Sequence, residues 1–296
     1  MIRFLAGLLA AGALAAGVAA AEEVTIPHGG KTLNGNLELA EGKSMADGIV
    51  VLVHGTLAHN GMELIAAQQS LLEEREISSL AINLSLGLDD RHGMYDCATP
   101  HTHHHRDAVA EIAAWVAWLK GRGAKSVTVM GHSRGGAQTA LYAAQAPDRV
   151  VEKVILLAPG TSDSARIGAE YEKRHGVSLA LLLDQAKGLV AAGRGGDLMA
   201  PVDFLYCNDA KVAAAAFLDY YAPSPDLDGP GLVDRIKLPV LAIVGTADTV
   251  VPDARPRLKE KAGGHLRVVE VQDAGHFFRD LYGEDVADAV QEFLAD

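Results

Sequence analysis

The chain has 296 residues, of which 49% are apolar and 5% aromatic, and it contains two cysteines. This apolar fraction excludes intrinsic disorder, and two cysteines are too few for a disulfide-dense scaffold or a four-thiolate zinc site. The formal net charge of −12 at pH 7 argues against nucleic acid or anionic lipid as a partner.

The N-terminal 21 residues differ in composition from the rest. Arg3 precedes an uncharged run rich in Ala, Leu and Gly, and three alanines at 19–21 precede Glu22. A basic start, an apolar run and small residues at the cleavage point are typical of a secretory signal peptide. A membrane anchor is the alternative, but the run is at the lower length limit of a spanning helix. The sequence predicts a signal peptide over 1–21 and a periplasmic or secreted mature protein over 22–296, with no stable membrane anchor after cleavage.

The next segments alternate between strand and helix patterns. Two short runs, 23–26 and 32–39, flank a Gly-containing connection and predict an antiparallel hairpin. Continuous apolar runs, typical of strands buried on both faces of a parallel sheet, follow at 48–53, 79–82, 127–130, 154–157, 240–244 and 266–271. Helical patterns lie between them or after them at 61–75, 107–120, 135–145 and 284–294. This alternation predicts an α/β fold with a mostly parallel, doubly wound sheet.

One stretch, about 162–232, interrupts this alternation, and we call it the cap. It contains helical patterns, a Gly-rich turn at 193–196 and a Pro-rich loop at 223–230, but no clear strand pattern. The sequence therefore predicts a helical insertion above the sheet. Ligands of open α/β sheets bind at the carboxyl ends of the strands, so we expect the functional site beneath the cap.

A candidate nucleophile follows the strand at 127–130. The sequence Gly131-His132-Ser133-Arg134-Gly135 matches G-x-S-x-G between a strand and a helix. A serine raised on such a tight turn leaves no space for Cβ atoms two residues before and after it, which explains the two glycines. This setting favours a catalytic Ser133 over a chance Gly-rich turn.

Three further motifs, at 50–56, 244–248 and 274–276, accompany the one at 131–135. With the four motifs in this order, the chain resembles the α/β-hydrolase superfamily, and the resemblance covers nearly all of the mature chain. It implies an α/β-hydrolase fold with a Ser-His-Asp triad and an acyl-enzyme intermediate. The motifs specify the substrate poorly, because the fold hosts esterases, lipases, thioesterases, amidases and cofactor-free peroxidases among others.

A serine nucleophile needs a base, and the base needs a carboxylate that orients it. His276 follows the strand at 266–271 by a short loop, whereas the nearby His265 is interpreted as a surface residue. Asp248 follows the strand at 240–244, which gives the chain order Ser, Asp, His. Asp163, after the strand at 154–157, is the alternative acid.

The oxyanion of an acyl-transfer reaction needs two N–H donors. The backbone N–H of Arg134, at the start of the helix after the nucleophile, is one candidate. The resemblance points to the backbone N–H of Thr56, in the loop after His54-Gly55, as the second.

A group of histidines precedes the predicted helix at 107–120. It comprises His101, His103, His104 and His105, with His92 and Cys97 upstream. Only His101 and His104, or His101 and His105, would share one face of a helix. The sequence therefore favours a place near the rim of the site, with substrate contact or incidental metal affinity, over a structural zinc site.

The two cysteines, Cys97 and Cys207, lie in a loop after a sheet strand and in the cap. In an exported protein they would form a disulfide if their Cα atoms lie within bonding distance. The alternative of two separate thiols stays open.

These observations predict an exported serine hydrolase whose partner is a small-molecule acyl ester, with no metal and no organic cofactor. Ser133, His276 and Asp248 are its expected catalytic residues, and Thr56 and Arg134 its expected oxyanion donors. A thioesterase or an acyltransferase on the same fold is the first alternative. A non-catalytic binding protein is the second, and the complete set of triad residues argues against it.

Overall fold

The structure is a computed structural model that describes residues 21–145 and 147–296. The predicted signal peptide, 1–21, lies outside the described residues apart from Ala21. Within the described ranges, no helix combines the length and apolar character needed to cross a membrane.

Most strands belong to one large sheet. The strands are β1 (Glu22–His28), β2 (Lys31–Glu38), β3 (Ile49–Val53), β4 (Ser79–Ile82), β5 (Val127–His132), β6 (Val151–Leu157), β7 (Leu198–Phe204), β8 (Cys207–Ala213), β9 (Val240–Gly245) and β10 (Leu266–Val271). Eight of them form a sheet in the order β1-β2-β4-β3-β5-β6-β9-β10. β1 and β2 pair antiparallel, β2 pairs antiparallel with β4, and all other neighbours are parallel. The predicted doubly wound sheet with an N-terminal hairpin is confirmed.

Helices cover both faces of this sheet. They are α1 (Glu63–Glu73), α2 (Asp107–Gly121), α3 (Arg134–Ala143), α4 (Ser164–His175), α5 (Leu179–Ala191), α6 (Ala214–Tyr221), α7 (Gly229–Leu232), α8 (Ala254–Glu260) and α9 (Tyr282–Ala295). In β3, Val51 and Val53 pack in the cluster that contains Trp115 of α2, whereas Val50 and Leu52 pack in the cluster that contains Leu72 of α1. Burial on both faces explains the continuous apolar runs.

The cap contains α4 to α7 and also a hairpin of β7 and β8. The prediction that this stretch holds no strand is therefore wrong. The pairing of β7 with β8 is irregular, with register shifts between Met199 and Val202 and between Val202 and Phe204. Irregular pairing disrupts the strict alternation of apolar and polar residues by which a strand is recognised in a sequence.

A disulfide connects the cap to the rest of the fold. Cys97, in the loop between β4 and α2, is bonded to Cys207 at the start of β8, with their Cα atoms 5.3 Å apart. Of the two alternatives that the sequence left open, the structure has the bridge. It therefore fixes the hairpin of the cap to the loop that follows β4.

Candidate active site

Ser133 lies alone on the turn between β5 and α3. Its backbone has φ 56° and ψ −122°, in the positive-φ region that side-chain-bearing residues rarely adopt. Two hydrogen bonds hold this conformation: the Ser133 N–H donates to the carbonyl of Leu157 over 3.0 Å, and the Ser133 carbonyl accepts from the N–H of Gly160 over 2.7 Å. The nucleophile candidate is thus held on a strained turn by the last residue of β6 and by the loop that follows β6.

The glycines on either side of Ser133 allow this turn to pack against β3. A Cβ atom on Gly131 would overlap the carbonyl oxygen of Gly135, and a Cβ atom on Gly135 would overlap the carbonyl oxygens of Val53 and His54. Each of these contacts would be shorter than 3.0 Å, which real Cβ atoms essentially never show. These backbone contacts therefore explain why glycine is required at both positions.

His276 and Asp248 approach Ser133 from the loops after β10 and β9. The Oγ–H of Ser133 donates to Nε2 of His276 over 2.9 Å, and Nδ1–H of His276 donates to Oδ2 of Asp248 over 2.8 Å. The side chains of His276 and Asp248 are 4% and 6% exposed. The structure thus joins the three predicted residues in one hydrogen-bonded series that is largely shielded from water.

Asp248 is held in its ionised form. Burial opposes ionisation, but hydrogen bonds from His276 and from the backbone N–H groups of Val251 and Val250 outweigh it and keep the pKa of Asp248 below its ordinary value. The alternative acid, Asp163, instead accepts from the N–H groups of Ala165 and Arg166 as the N-cap of α4. Its carboxylate is engaged with the cap helix and not with His276.

The two predicted oxyanion donors lie on adjacent loops. Thr56 follows β3, and Arg134 is the first residue of α3, so its N–H has no carbonyl partner within the helix. The side chains also meet: Nε of Arg134 donates to Oγ1 of Thr56 over 3.2 Å. The Arg134 guanidinium lies over the ring of Tyr220, with 4.8 Å from Cζ to the ring centroid.

The loop that carries Thr56 is supported by a buried arginine that belongs to none of the sequence motifs. Arg91, 5% exposed, donates to the carbonyl groups of Ala58, Leu84 and Gly93 over 2.8, 2.8 and 2.6 Å. Its Nη2 also lies 3.1 Å from Nε2 of His54. Burial lowers the pKa of Arg91 to about 10, and the carbonyl acceptors offset part of the cost of burying the charge.

His54 connects Arg91 to the oxyanion loop. Its Nδ1–H donates to the carbonyl of Gly55 over 2.9 Å, and its Nε2 accepts from the N–H of Leu84 over 3.1 Å. Burial and the nearby Arg91 lower the pKa of His54 to about 3, so the ring is neutral at neutral pH. A neutral ring can accept from Leu84 and donate to Gly55 at the same time.

A cavity of about 440 Å³ opens above Ser133, between the sheet and the cap. Residues of the sheet loops form its floor, and residues of α4 and of the β7–β8 turn form its opposite wall. Among the apolar and aromatic side chains that line it are Met62, Met94, Ile167, Tyr171, Leu205, Tyr206, Tyr221, Val250 and Phe277. Its volume and its lining suit a small organic substrate.

The sequence matches the model of the Alpha/beta hydrolase family over residues 50–289. This chain belongs to the alpha/beta hydrolase family. It is 31% identical over 189 residues to a non-heme chloroperoxidase from Streptomyces lividans. The aligned residues cover 58% of this chain and 67% of that protein. The resemblance seen in the sequence motifs is thereby confirmed.

Solved structures show the same fold. Est1E from Butyrivibrio proteoclasticus with bound ferulic acid superposes with a TM-score of 0.66 at 21% identity, over 92% of this hydrolase and 98% of that chain. A monoacylglycerol lipase from Paleococcus ferrophilus superposes with a TM-score of 0.60 at 21% identity, over 88% of this chain and 98% of that one. At these identities the likeness establishes the architecture.

The histidines before α2 lie behind the cavity wall of this hydrolase. They precede the helix, and His101, His103 and His105 are buried whereas His104 is not. Burial lowers the pKa to about 4 for His101 and to about 3 for the other two buried rings. They lie at the entry to α2 as expected, but none of the four lines the cavity, so the structure does not place them for the expected contact with a substrate. Among the described residues, no group of three or more His, Cys, Asp or Glu side chains is placed to hold a metal ion.

Proposed function

We propose that this alpha/beta hydrolase is an exported serine hydrolase that cleaves carboxylic esters through an acyl-enzyme. The hydrogen-bonded series from Ser133 through His276 to Asp248 carries the proposal, because a serine hydroxyl becomes nucleophilic when a base oriented by a carboxylate takes its proton. Export rests on the signal-peptide pattern at 1–21. The reaction requires no metal or organic cofactor.

In the acylation step, Oγ of Ser133 attacks the ester carbonyl carbon and its proton passes to Nε2 of His276. The backbone N–H groups of Thr56 and Arg134 hydrogen-bond the oxygen that becomes negative. The carbon–oxygen bond to the alcohol then breaks, and the alcohol leaves with the proton from His276. The acyl group stays on Ser133 as an ester.

In the deacylation step, water attacks the acyl carbon and gives its proton to His276. Collapse of this second tetrahedral intermediate breaks the bond to Oγ of Ser133, which recovers the proton. The products are one carboxylic acid and one alcohol for each water consumed. Asp248 stabilises the imidazolium that forms twice in the cycle.

The alternative functions differ from the esterase in the leaving group or in the acceptor of the acyl group. A thiol leaving group would make the protein a thioesterase, and an alcohol in place of water would make it an acyltransferase. The relationship to a protein named non-heme chloroperoxidase favours a third acceptor, hydrogen peroxide, which would release a peracid. All three use the same acyl-enzyme.

A panel of short 4-nitrophenyl esters tests the proposal. The wild-type protein should hydrolyse them, and Ser133→Ala should lose turnover by a factor on the order of 10⁶ in kcat. Added alcohol or hydrogen peroxide, with products identified by mass spectrometry, measures how the acyl group partitions among acceptors. Equal turnover by wild type and Ser133→Ala would refute the proposed role of Ser133.

A further inference from the structure

A second histidine–aspartate pair faces the cavity, from the cap. Nδ1 of His175, the last residue of α4, lies 2.9 Å from Oδ2 of Asp203 in β7, and the His175 side chain is 4% exposed. The hydroxyl of Tyr171 donates to the carbonyl of Asp203 over 2.7 Å, and the Tyr171 and His175 rings lie 4.6 Å apart. This buried ring is therefore held in place from two sides.

The second nitrogen of this ring is free to bind a ligand. Asp203 engages Nδ1, Nε2 has no hydrogen-bond partner among residues 21–145 and 147–296, and His175 lines the cavity. An imidazole nitrogen that carries a hydrogen donates a hydrogen bond, and one that carries none accepts. With its hydrogen, Nε2 of His175 would donate to an anionic group in the cavity.

Two arginines line the same cavity. In the described part of the chain, neither Arg134 nor Arg174 forms an ion pair with a carboxylate, and Arg174 makes one long bond, 3.4 Å, from Nη1 to the carbonyl of Leu205. Burial raises the pKa of Tyr221, and both guanidinium groups lie near enough to its phenol to oppose that shift. Both positive charges therefore lie close to the part of the cavity wall that Tyr221 forms.

The negative groups at this cavity are already engaged. Glu170 also lines it, but its carboxylate lies 2.9 Å from Nη1 of Arg166. Oδ2 of Asp203 lies 2.9 Å from Nδ1 of His175, and its Oδ1 accepts from the N–H of Asp209 over 3.1 Å. In a protein with a formal net charge of −12, unpaired arginines in one cavity mark a site suited to an anion.

From this arrangement we propose that Arg174 and His175, in the field of Arg134, form a subsite for a carboxylate group of the substrate. The proposal rests on the proposed esterase function and names its substrate class: esters that carry a carboxylate in addition to the ester that is cleaved. The ester lies at Ser133, and the carboxylate points toward the cap. Planar guanidinium groups pair well with carboxylates, and such hydrogen bonds are stronger than neutral ones.

Binding to the Ser133→Ala protein tests this subsite without turnover. Isothermal titration compares monoethyl glutarate with its neutral counterpart, ethyl 4-carbamoylbutyrate, in which an amide replaces the carboxylate. A second pair, 3-acetoxybenzoate and 3-acetoxybenzamide, places the charge in the alcohol half. In at least one pair, the ester with the carboxylate should bind about tenfold more tightly than the ester with the amide. Added salt should reduce this difference in affinity. Equal or weaker binding of the carboxylate in both pairs would overturn the proposal.

Variants in the same background locate the effect. Arg174→Gln and His175→Gln should each reduce the preference for the carboxylate by a factor of about three to ten. Lys173→Gln is the matched control, because it removes an exposed charge next to Arg174 on α4 from a residue that does not line the cavity. A preference that persists in both Arg174→Gln and His175→Gln, or that falls as much in Lys173→Gln, would refute the subsite.

Failure of the subsite and failure of the esterase proposal give different results. If the charged esters bind preferentially but wild type hydrolyses no ester, the esterase proposal fails and the subsite stands. If wild type hydrolyses charged and neutral esters alike and binds them alike, the subsite fails and the esterase proposal stands.

Discussion

Oδ2 of Asp248 lies 2.8 Å from Nδ1 of His276, although 28 positions separate the two residues in the chain. The loops that carry them follow β9 and β10, which are neighbouring parallel strands, so both loops emerge at the same edge of the sheet. The N–H of Ala247 donates to the carbonyl of Ala274 over 3.0 Å and joins the loops directly. The acid and the base are thus positioned by backbone pairing as well as by their own hydrogen bond.

Replacing Asp248 should reduce the rate far more than it reduces binding. Asp248→Asn keeps the size of the side chain but removes the charge that orients His276 and stabilises its protonated form, so kcat should fall by roughly 10³ to 10⁴. Steady-state kinetics on a 4-nitrophenyl ester measure this. Asp163→Asn is the control, because Asn caps a helix about as well as Asp, and it should leave kcat nearly unchanged. The opposite pattern would assign the acid role to Asp163.

Asp248 should also make stability depend on pH. Its pKa in the folded protein lies below the ordinary value, so its charge stabilises the fold at pH values above the unfolded pKa of about 3.9, and this contribution disappears as the pH falls through the folded pKa. The difference in free energy of unfolding between wild type and Asp248→Asn should therefore be larger at about pH 6 than at about pH 3. Urea unfolding at both pH values measures it, and a difference that grows toward low pH would contradict the assignment.

The parts of the site that the sequence predicts are those that follow regular strands. Ser133, Asp248 and His276 each come shortly after an apolar run, and parallel strands bring their carboxyl ends to one edge. Arg91 and His175 could not be predicted in this way. Arg91 acts through carbonyl groups of two loops, one after β3 and one after β4, and His175 lies against Asp203 on a different element. Neither spacing nor periodicity in a single sequence reveals such pairings.

In the fold, too, the regular strands are predictable from the sequence and the irregular segments are not. The regular sheet strands lie within three residues of their predicted ends, because burial on both faces produces continuous apolar runs. The β7–β8 hairpin was missed because its register shifts interrupt the alternating pattern. Helical spacing does not apply to the histidines at 101–105, because they precede α2. The residues at 101, 103 and 105 are buried and those at 102 and 104 are not, which is the alternation of an extended chain.

Arg91 should act as a positioning residue for the oxyanion loop. Arg91→Met keeps an apolar stem but removes the donors to Ala58, Leu84 and Gly93. Displacement of the loop should lower kcat by up to about 100-fold with a smaller change in KM. Buried carbonyl groups left without donors should cost roughly 3 kcal/mol in free energy of unfolding.

A control separates positioning from a general loss of stability. Leu72→Ala, in α1, empties a fully buried site away from the cavity and should cost roughly 2–5 kcal/mol while leaving kcat unchanged below the unfolding transition. If Arg91→Met and Leu72→Ala have the same kcat, Arg91 contributes to stability alone.

The Cys97–Cys207 bridge should stabilise the fold by restricting the unfolded chain. It joins residues 110 positions apart, and a loop of that size predicts a stabilisation of about 2–5 kcal/mol. The double variant Cys97→Ser/Cys207→Ser should lose this amount in urea unfolding, and reduced wild type should match it. Two free thiols titrated in the folded, unreduced protein would show that the bridge does not form.

The most direct test of the central claim is covalent labelling of Ser133 by a fluorophosphonate, followed by peptide mass spectrometry. Wild type and the control Ser70→Ala, an exposed serine of α1, should each gain one phosphonyl group on the peptide that contains Ser133. Ser133→Ala should gain none. A wild-type protein that stays unlabelled, or equal labelling of Ser133→Ala, would contradict a nucleophilic Ser133 activated by His276.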